Sequence, residues 1–146
     1  MLKNRYQGFR PLWNDLSSLS NSIHDPWLVI GDFNAIHSPN EKLGPFHSPI
    51  SSREFRALIE ECNLVEINLT GSKFTWYCRH YNWVIASKLD RALVNVPTLD
   101  AWDTIFSITL PKLNSNHHPI LVRLHSKRPK PSIPFKYNND WSDDLD

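Results

Sequence analysis

Apolar positions along this chain follow more than one rhythm, and each rhythm predicts a different element. Across residues 11–19, Leu12, Trp13, Leu16 and Leu19 recur at helical spacing and Pro11 suits a first turn, so a short amphipathic helix is predicted. Trp27-Leu28-Val29-Ile30 is an unbroken apolar run ending at Gly31, the pattern of a strand buried on both faces that runs into a loop. Residues 31–49 are rich in Pro, Ser, His and Asn, which favours irregular backbone. Ser51-Ser52-Arg53-Glu54 fits a capping box, and Phe55, Leu58, Ile59 and Cys62 line one face of the helix that should follow. From Leu64 the period shortens to two. Val65, Ile67 and Leu69 alternate with Glu66 and Asn68, then Phe74, Trp76 and Cys78 alternate with Thr75 and Tyr77, with Thr70-Gly71-Ser72 as the turn between two strands. Further strands are predicted over 88–94, 105–110 and 119–124.

The later strands are mostly joined without long crossover helices, so the expected class is α/β with mixed or antiparallel sheets. Trp27, Val29, Phe55, Leu58, Ile59, Leu89 and Leu93 form the expected core. After Leu124 the chain turns to Lys127-Arg128-Pro129-Lys130-Pro131 and then to an acidic end with Asp140, Asp143, Asp144 and Asp146. Residues 1–125 are therefore read as one domain and 126–146 as linker or tail.

Composition narrows the class further. The 146 residues suit one domain, and six Trp and seven Phe argue against disorder over most of the length. No apolar run reaches the roughly 18 residues of a membrane span, and the polar, basic residues 1–10 lack the apolar stretch of a signal peptide, so an intracellular location is the expectation. The basic stretch at 127–130 reads first as solvated linker and second as a nuclear signal. Cys62 and Cys78 show neither C-x-x-C spacing nor a disulfide framework and are read as small core hydrophobes. A net charge of +1 gives no electrostatic mandate for nucleic acid.

Three segments hold nearly all the useful chemistry: Gly31-Asp32-Phe33-Asn34, Leu89-Asp90-Arg91 and Ser115-Asn116-His117-His118-Pro119. Asp32 and Asn34, two apart, can project to the same side, where a carboxylate orients water and an amide binds a phosphate oxygen without adding charge. Taken alone, the same four residues read equally well as an ordinary turn. Asp90 is readable as a surface charge paired with Lys88 or Arg91, yet strand alternation puts it on the face of Ala92 and Val94. A carboxylate there needs a partner, and a histidine is a fitting one. His117 and His118 are adjacent and point to opposite sides of an extended segment, so at most one faces the site. No H-E-x-x-H spacing is present, which argues against zinc.

In this order the three segments resemble the endonuclease/exonuclease/phosphatase family, with its Gly-Asp-Phe-Asn loop, Leu-Asp-Arg strand and Ser-Asp-His-x-Pro loop. The text between them, including Pro26-Trp27, Phe74-Thr75-Trp76 and Ser87-Lys88-Leu89-Asp90-Arg91, is similar to endonuclease domains of plant non-LTR (LINE-type) retrotransposons. The resemblance covers roughly residues 10–124. It implies the C-terminal portion of a DNase I-like, four-layer α/β sandwich that hydrolyses DNA phosphodiesters with Mg²⁺. Pro134-Phe135-Lys136-Tyr137 and Trp141 look like the connector toward a reverse transcriptase in such elements.

By the same resemblance, Asp32 would position or deprotonate the attacking water and Asn34 would bind a phosphate oxygen. His117 would stabilise charge on the phosphate while Asp90 holds its ring. Asn116 stands where the family has a metal-supporting aspartate, and an amide is a poorer partner for a hard cation. The residues before Trp27 are too few to hold the family's first half with its metal-binding glutamate. Three functions follow as alternatives: an impaired DNA endonuclease, a non-catalytic remnant that binds nucleic acid or nothing, and a phosphatase on a small molecule. The geometric expectation is that Asp32, Asn34, Asp90 and His117 converge, with Asp90 about 2.6 to 3.2 Å from the His117 ring and His118 turned away.

Overall fold

The computed structural model describes residues 10–45, 49–80 and 82–126. Residues 1–9, and all but the first residue of the expected tail at 126–146 with its basic stretch, lie outside them. The helices are α1 (Arg10–Ser20), α2 (Pro49–Glu61) and α3 (Val96–Ala101). The strands are β1 (Leu28–Asp32), β2 (Lys42–Leu43), β3 (Leu64–Glu66), β4 (Leu69–Thr70), β5 (Trp76–His80), β6 (Trp83–Ser87), β7 (Asp90–Asn95), β8 (Trp102–Thr109) and β9 (Ile120–Ser126). They form three three-stranded sheets ordered β1-β7-β3, β2-β6-β5 and β4-β8-β9. Every pairing is antiparallel except β4 with β8. The class is thus mixed α/β with mostly antiparallel sheets. No helix among the described residues is long and apolar enough to cross a membrane.

α1 and α2 cover one face of the β1-β7-β3 sheet. Phe55 of α2 is fully buried against Trp13 of α1 and Phe33, with ring centroids 6.1 and 5.4 Å away, and Leu58, Cys62, Leu64 and Leu93 complete this cluster. Trp27, Val29 and Ile59 pack on its margin, half-buried rather than enclosed. Of the four apolar positions in α1, Trp13 and Leu16 turn inward, while Leu12 and Leu19 are exposed. A second cluster of Ile67, Ala92 and Val94 lies on the opposite face of β7, toward Ile105 and Val122 of the β8–β9 sheet. Cys62 is buried, Cys78 is half-buried, and both are free thiols.

Three sequence expectations need correction. First, β1 continues through Gly31 to Asp32 and is not buried on both faces. Leu28 packs on the second cluster, but Ile30, two residues along the same face, is 47% exposed because that cluster does not extend so far. Second, α2 starts at Pro49, two residues before the expected capping box. Third, the alternating run from Leu64 is two strands in different sheets, β3 beside β7 and β4 beside β8. The burial phase slips accordingly, with Leu64 and Ile67 buried and Val65 exposed. The Thr70-Gly71-Ser72 turn does lie between two strands, β4 and β5, which belong to different sheets because β5 pairs with β6. Gly71 has φ +93, and a Cβ there would come within 2.5 Å of the Thr109 hydroxyl, so the turn binds the chain to β8 as it leaves the sheet.

Candidate functional site

β1 and β7 are antiparallel with Asp32 directly opposite Asp90, so register alone brings two of the three segments together. The third arrives through β5, where Trp76 bridges His117, the Tyr77 N–H reaches the Asn116 carbonyl at 2.9 Å, and the His118 N–H reaches the Thr75 carbonyl at 2.7 Å. The Ser115 hydroxyl accepts the His117 N–H at 3.0 Å and tightens that loop.

The side chains then meet. His117 Nδ1 lies 2.9 Å from Asp90 Oδ2, and Nε2 lies 4.0 Å from Asp32 Oδ2. With Asp90 only 14% exposed and His117 35% exposed, the carboxylate is mostly covered and the imidazole edge faces solvent. A carboxylate on Nδ1 fixes a proton there, which leaves Nε2 to accept a proton or, once protonated, to donate. Asn34 sits at φ +49, a left-handed conformation Asn tolerates, and donates its backbone N–H to Asp32 Oδ1 at 2.8 Å and its amide to Oδ2 at 2.9 Å. His118 turns away as expected, with Nδ1 at 2.9 Å from the Leu110 carbonyl and its ring against Tyr77. Asn116 is exposed and offers its carbonyl to Tyr77.

Thr75 and a buried ion cluster around Arg91 lie behind this geometry. The chain crosses from β6 to β7 at Lys88 and Leu89, where ladder partners are lost and backbone groups need others. The fully buried Thr75 hydroxyl accepts both the Leu89 and Asp90 N–H groups at 2.9 Å, and the Leu89 carbonyl takes the Phe33 N–H at 3.0 Å. Arg91 is enclosed beside Glu41 and Glu66, with its guanidinium 5.1 Å from the Phe55 ring. Lys88 adds a second cation 2.6 Å from Glu66. Arg91 therefore does not pair with Asp90, the alternative that the sequence left open. Thr75 and this ion cluster were missed because their partners lie far off in the chain; the one available hint was an arginine between apolar Leu89 and Leu93 on a core face.

Burial alone pulls the Glu41 carboxyl upward. The Arg91 hydrogen bond and charge outweigh that, with help from the His37 N–H and the Lys88 charge, and hold it below the usual carboxylate range.

The side chains do not by themselves fit the magnesium that the resemblance implies. Asp32 gives both oxygens to Asn34, Asp90 gives one to His117, and Asn116 contributes no charge. Among the described residues, no group of three or more His, Cys, Asp or Glu side chains is placed to hold an ion. What the arrangement offers is a partly exposed imidazole between two carboxylates and an amide fixed on one of them, Asp32. No family model matches the chain, and no curated protein matches it either.

Proposed function

We propose that this chain is the later portion of an endonuclease/exonuclease/phosphatase-type domain with the DNase I-like layout, and that its site engages a DNA phosphodiester but hydrolyses it poorly. The observation that carries this reading is the convergence of Asp32, Asp90 and His117, with the Asp90–His117 hydrogen bond at 2.9 Å and Asp32 4.0 Å from the second ring nitrogen. The order of the Gly-Asp-Phe-Asn, Leu-Asp-Arg and Ser-Asn-His-x-Pro segments supports it.

In this reading protonated His117 donates Nε2–H to a non-bridging phosphate oxygen, and Asp90 keeps the ring aimed. Asp32 lies near the same nitrogen and orients a water, which Asn34 assists by fixing the carboxylate plane. Impairment follows from the short supply of negative charge, since Asn116 contributes none and both Asp32 oxygens already accept from Asn34.

Binding and turnover test the two halves separately. Fluorescence anisotropy with a labelled DNA duplex at low salt should show affinity about ten- to a hundredfold weaker for His117→Ala, because a hydrogen bond to a charged group contributes about 1.5–3 kcal/mol. Equal affinities would reject the site. Competition by a small phosphomonoester stronger than by DNA would favour the phosphatase alternative. Nicking of supercoiled plasmid with Mg²⁺ should stay near background and should not rise in Asn116→Asp alone. Robust cleavage abolished by His117→Ala would overturn the impairment.

A further inference from the structure

Asp90 and Arg91 are neighbours on β7 and so point to opposite faces of the sheet. Asp90 meets His117. Arg91 enters the core on the other face and meets the segment that follows Asp32. Its Nη2 lies 2.5 Å from Glu41 Oε2, 3.3 Å from the Ala35 carbonyl and 3.0 Å from the Lys88 carbonyl, while Nη1 reaches both oxygens of Glu66 at 2.8 and 2.9 Å. Glu41 closes the other end: its carboxylate takes the His37 N–H at 2.6 Å and its carbonyl takes the Lys88 N–H at 2.9 Å. Arg56 of α2 adds a bond to the His37 carbonyl at 3.1 Å.

The segment 33–41 thus leaves β1 beside the site, makes a short excursion and is tied back to β7 at Glu41. Asp32 and Asn34, at its start, are themselves exposed, and the two polar side chains hold chiefly each other. The β1–β7 ladder aligns Asp32 with Asp90 and the Leu89 carbonyl takes the Phe33 N–H, and beyond that point the segment is restrained by its anchor at Glu41.

We propose that Arg91 and Glu41 are a positioning pair, which fixes Asp32 and Asn34 opposite the Asp90–His117 pair by clamping the far end of their segment to the same strand. The Leu-Asp-Arg run is then a hub, with one residue for each of the other two segments. This inference rests on the reading of residues 32, 34, 90 and 117 as one site.

The test compares Glu41→Gln, which keeps size and one acceptor, with Arg91→Lys, which keeps the charge but loses the fork. Val94→Ala serves as a control that weakens the second cluster without touching the pair. Amide hydrogen exchange is followed by NMR at Phe33 and Asn34, neither of which donates to Glu41, and global stability is measured by urea unfolding. In Glu41→Gln, exchange at these two amides should rise at least tenfold beyond the factor set by global destabilisation, and amides of β8 and β9 should track the global change. Arg91→Lys should show the same local excess, and Val94→Ala should move all amides together.

If Phe33 and Asn34 merely track global stability in Glu41→Gln, as in Val94→Ala, the pair is structural and the proposal falls. Duplex affinity separates the two readings. Local loosening with weaker DNA binding supports both. Local loosening with affinity unchanged in Glu41→Gln and in His117→Ala retains the positioning pair and rejects the phosphodiester site.

Discussion

Replacing Arg91 by Met should cost about 3–5 kcal/mol of unfolding free energy at neutral pH, a large share of the stability of a domain this size. The loss comes less from the deleted contacts than from what they leave behind. Lys88 remains 2.6 Å from Glu66 and can still neutralise it, but it stands 3.9 Å from Glu41, whose side chain is only 13% exposed. A carboxylate in that setting without its guanidinium is costly to keep ionised.

The pH dependence gives the sign of the effect. In the parent chain Glu41 has a folded-state pKa below its ordinary value of 4.5, so its stabilising contribution is present above that value and is lost as pH falls through the lower folded value. In Arg91→Met burial dominates and the carboxyl titrates above its unfolded value. Its folded form then takes up a proton first and is relatively favoured on acidification. The stability gap between parent and variant should therefore narrow from about pH 6 to about pH 4 in urea titrations. A gap constant across that window would mean that Glu41 does not carry the loss. Adding Glu41→Met to Arg91→Met should restore part of the stability at pH 7, since removing both charges is far less costly than stranding one.

The site was more legible in the sequence than the frame around it, for a physical reason. Alternation along β7 places Asp90 with Ala92 and Val94 and gives His117 and His118 opposite directions; these are local rules of an extended chain, and the structure follows them. Sheet membership is not local. Nothing between Leu64 and Thr70 announces that the chain leaves β7 at Glu66 and joins β8 in parallel at Leu69, because the pairing is decided by strands about 30 and about 40 residues further on.

Short elements escape for a related reason. The six residues of α3 are too few to show a helical period, and their cap, the Asn95 side chain accepting from Thr98 at 3.3 Å, also receives the Trp27 N–H at 2.9 Å from the start of β1. β6 went unread because Trp83-Val84-Ile85-Ala86-Ser87 carries no alternation. Its exposed Trp83 and buried Ser87 reflect a ribbon that is wet at its tip and enclosed where it meets the other sheet.

That enclosed end is where Thr75→Val should have its effect, a loss of about 2–6 kcal/mol. Valine matches threonine in shape, so no cavity forms, but two backbone N–H groups, of Leu89 and Asp90, lose the one oxygen that accepts both at 2.9 Å. Thr75 is fully buried, which bars water from replacing the hydroxyl without local opening. Each stranded buried donor costs about 1–3 kcal/mol. Thr75→Ser separates this account from a packing effect. It keeps the acceptor and removes one methyl, for which about 1 kcal/mol is expected. Urea unfolding should rank the parent first, Ser second and Val last, and a Val variant as stable as the Ser variant would rule out the hydrogen-bond explanation. The same substitution reaches the site. If the chain relaxes to rehydrate those two amides, Asp90 moves with its own N–H and loosens from His117. The His117 ring resonances in the Val variant should then shift toward those of Asp90→Asn, while in the Ser variant they should stay at the parent positions.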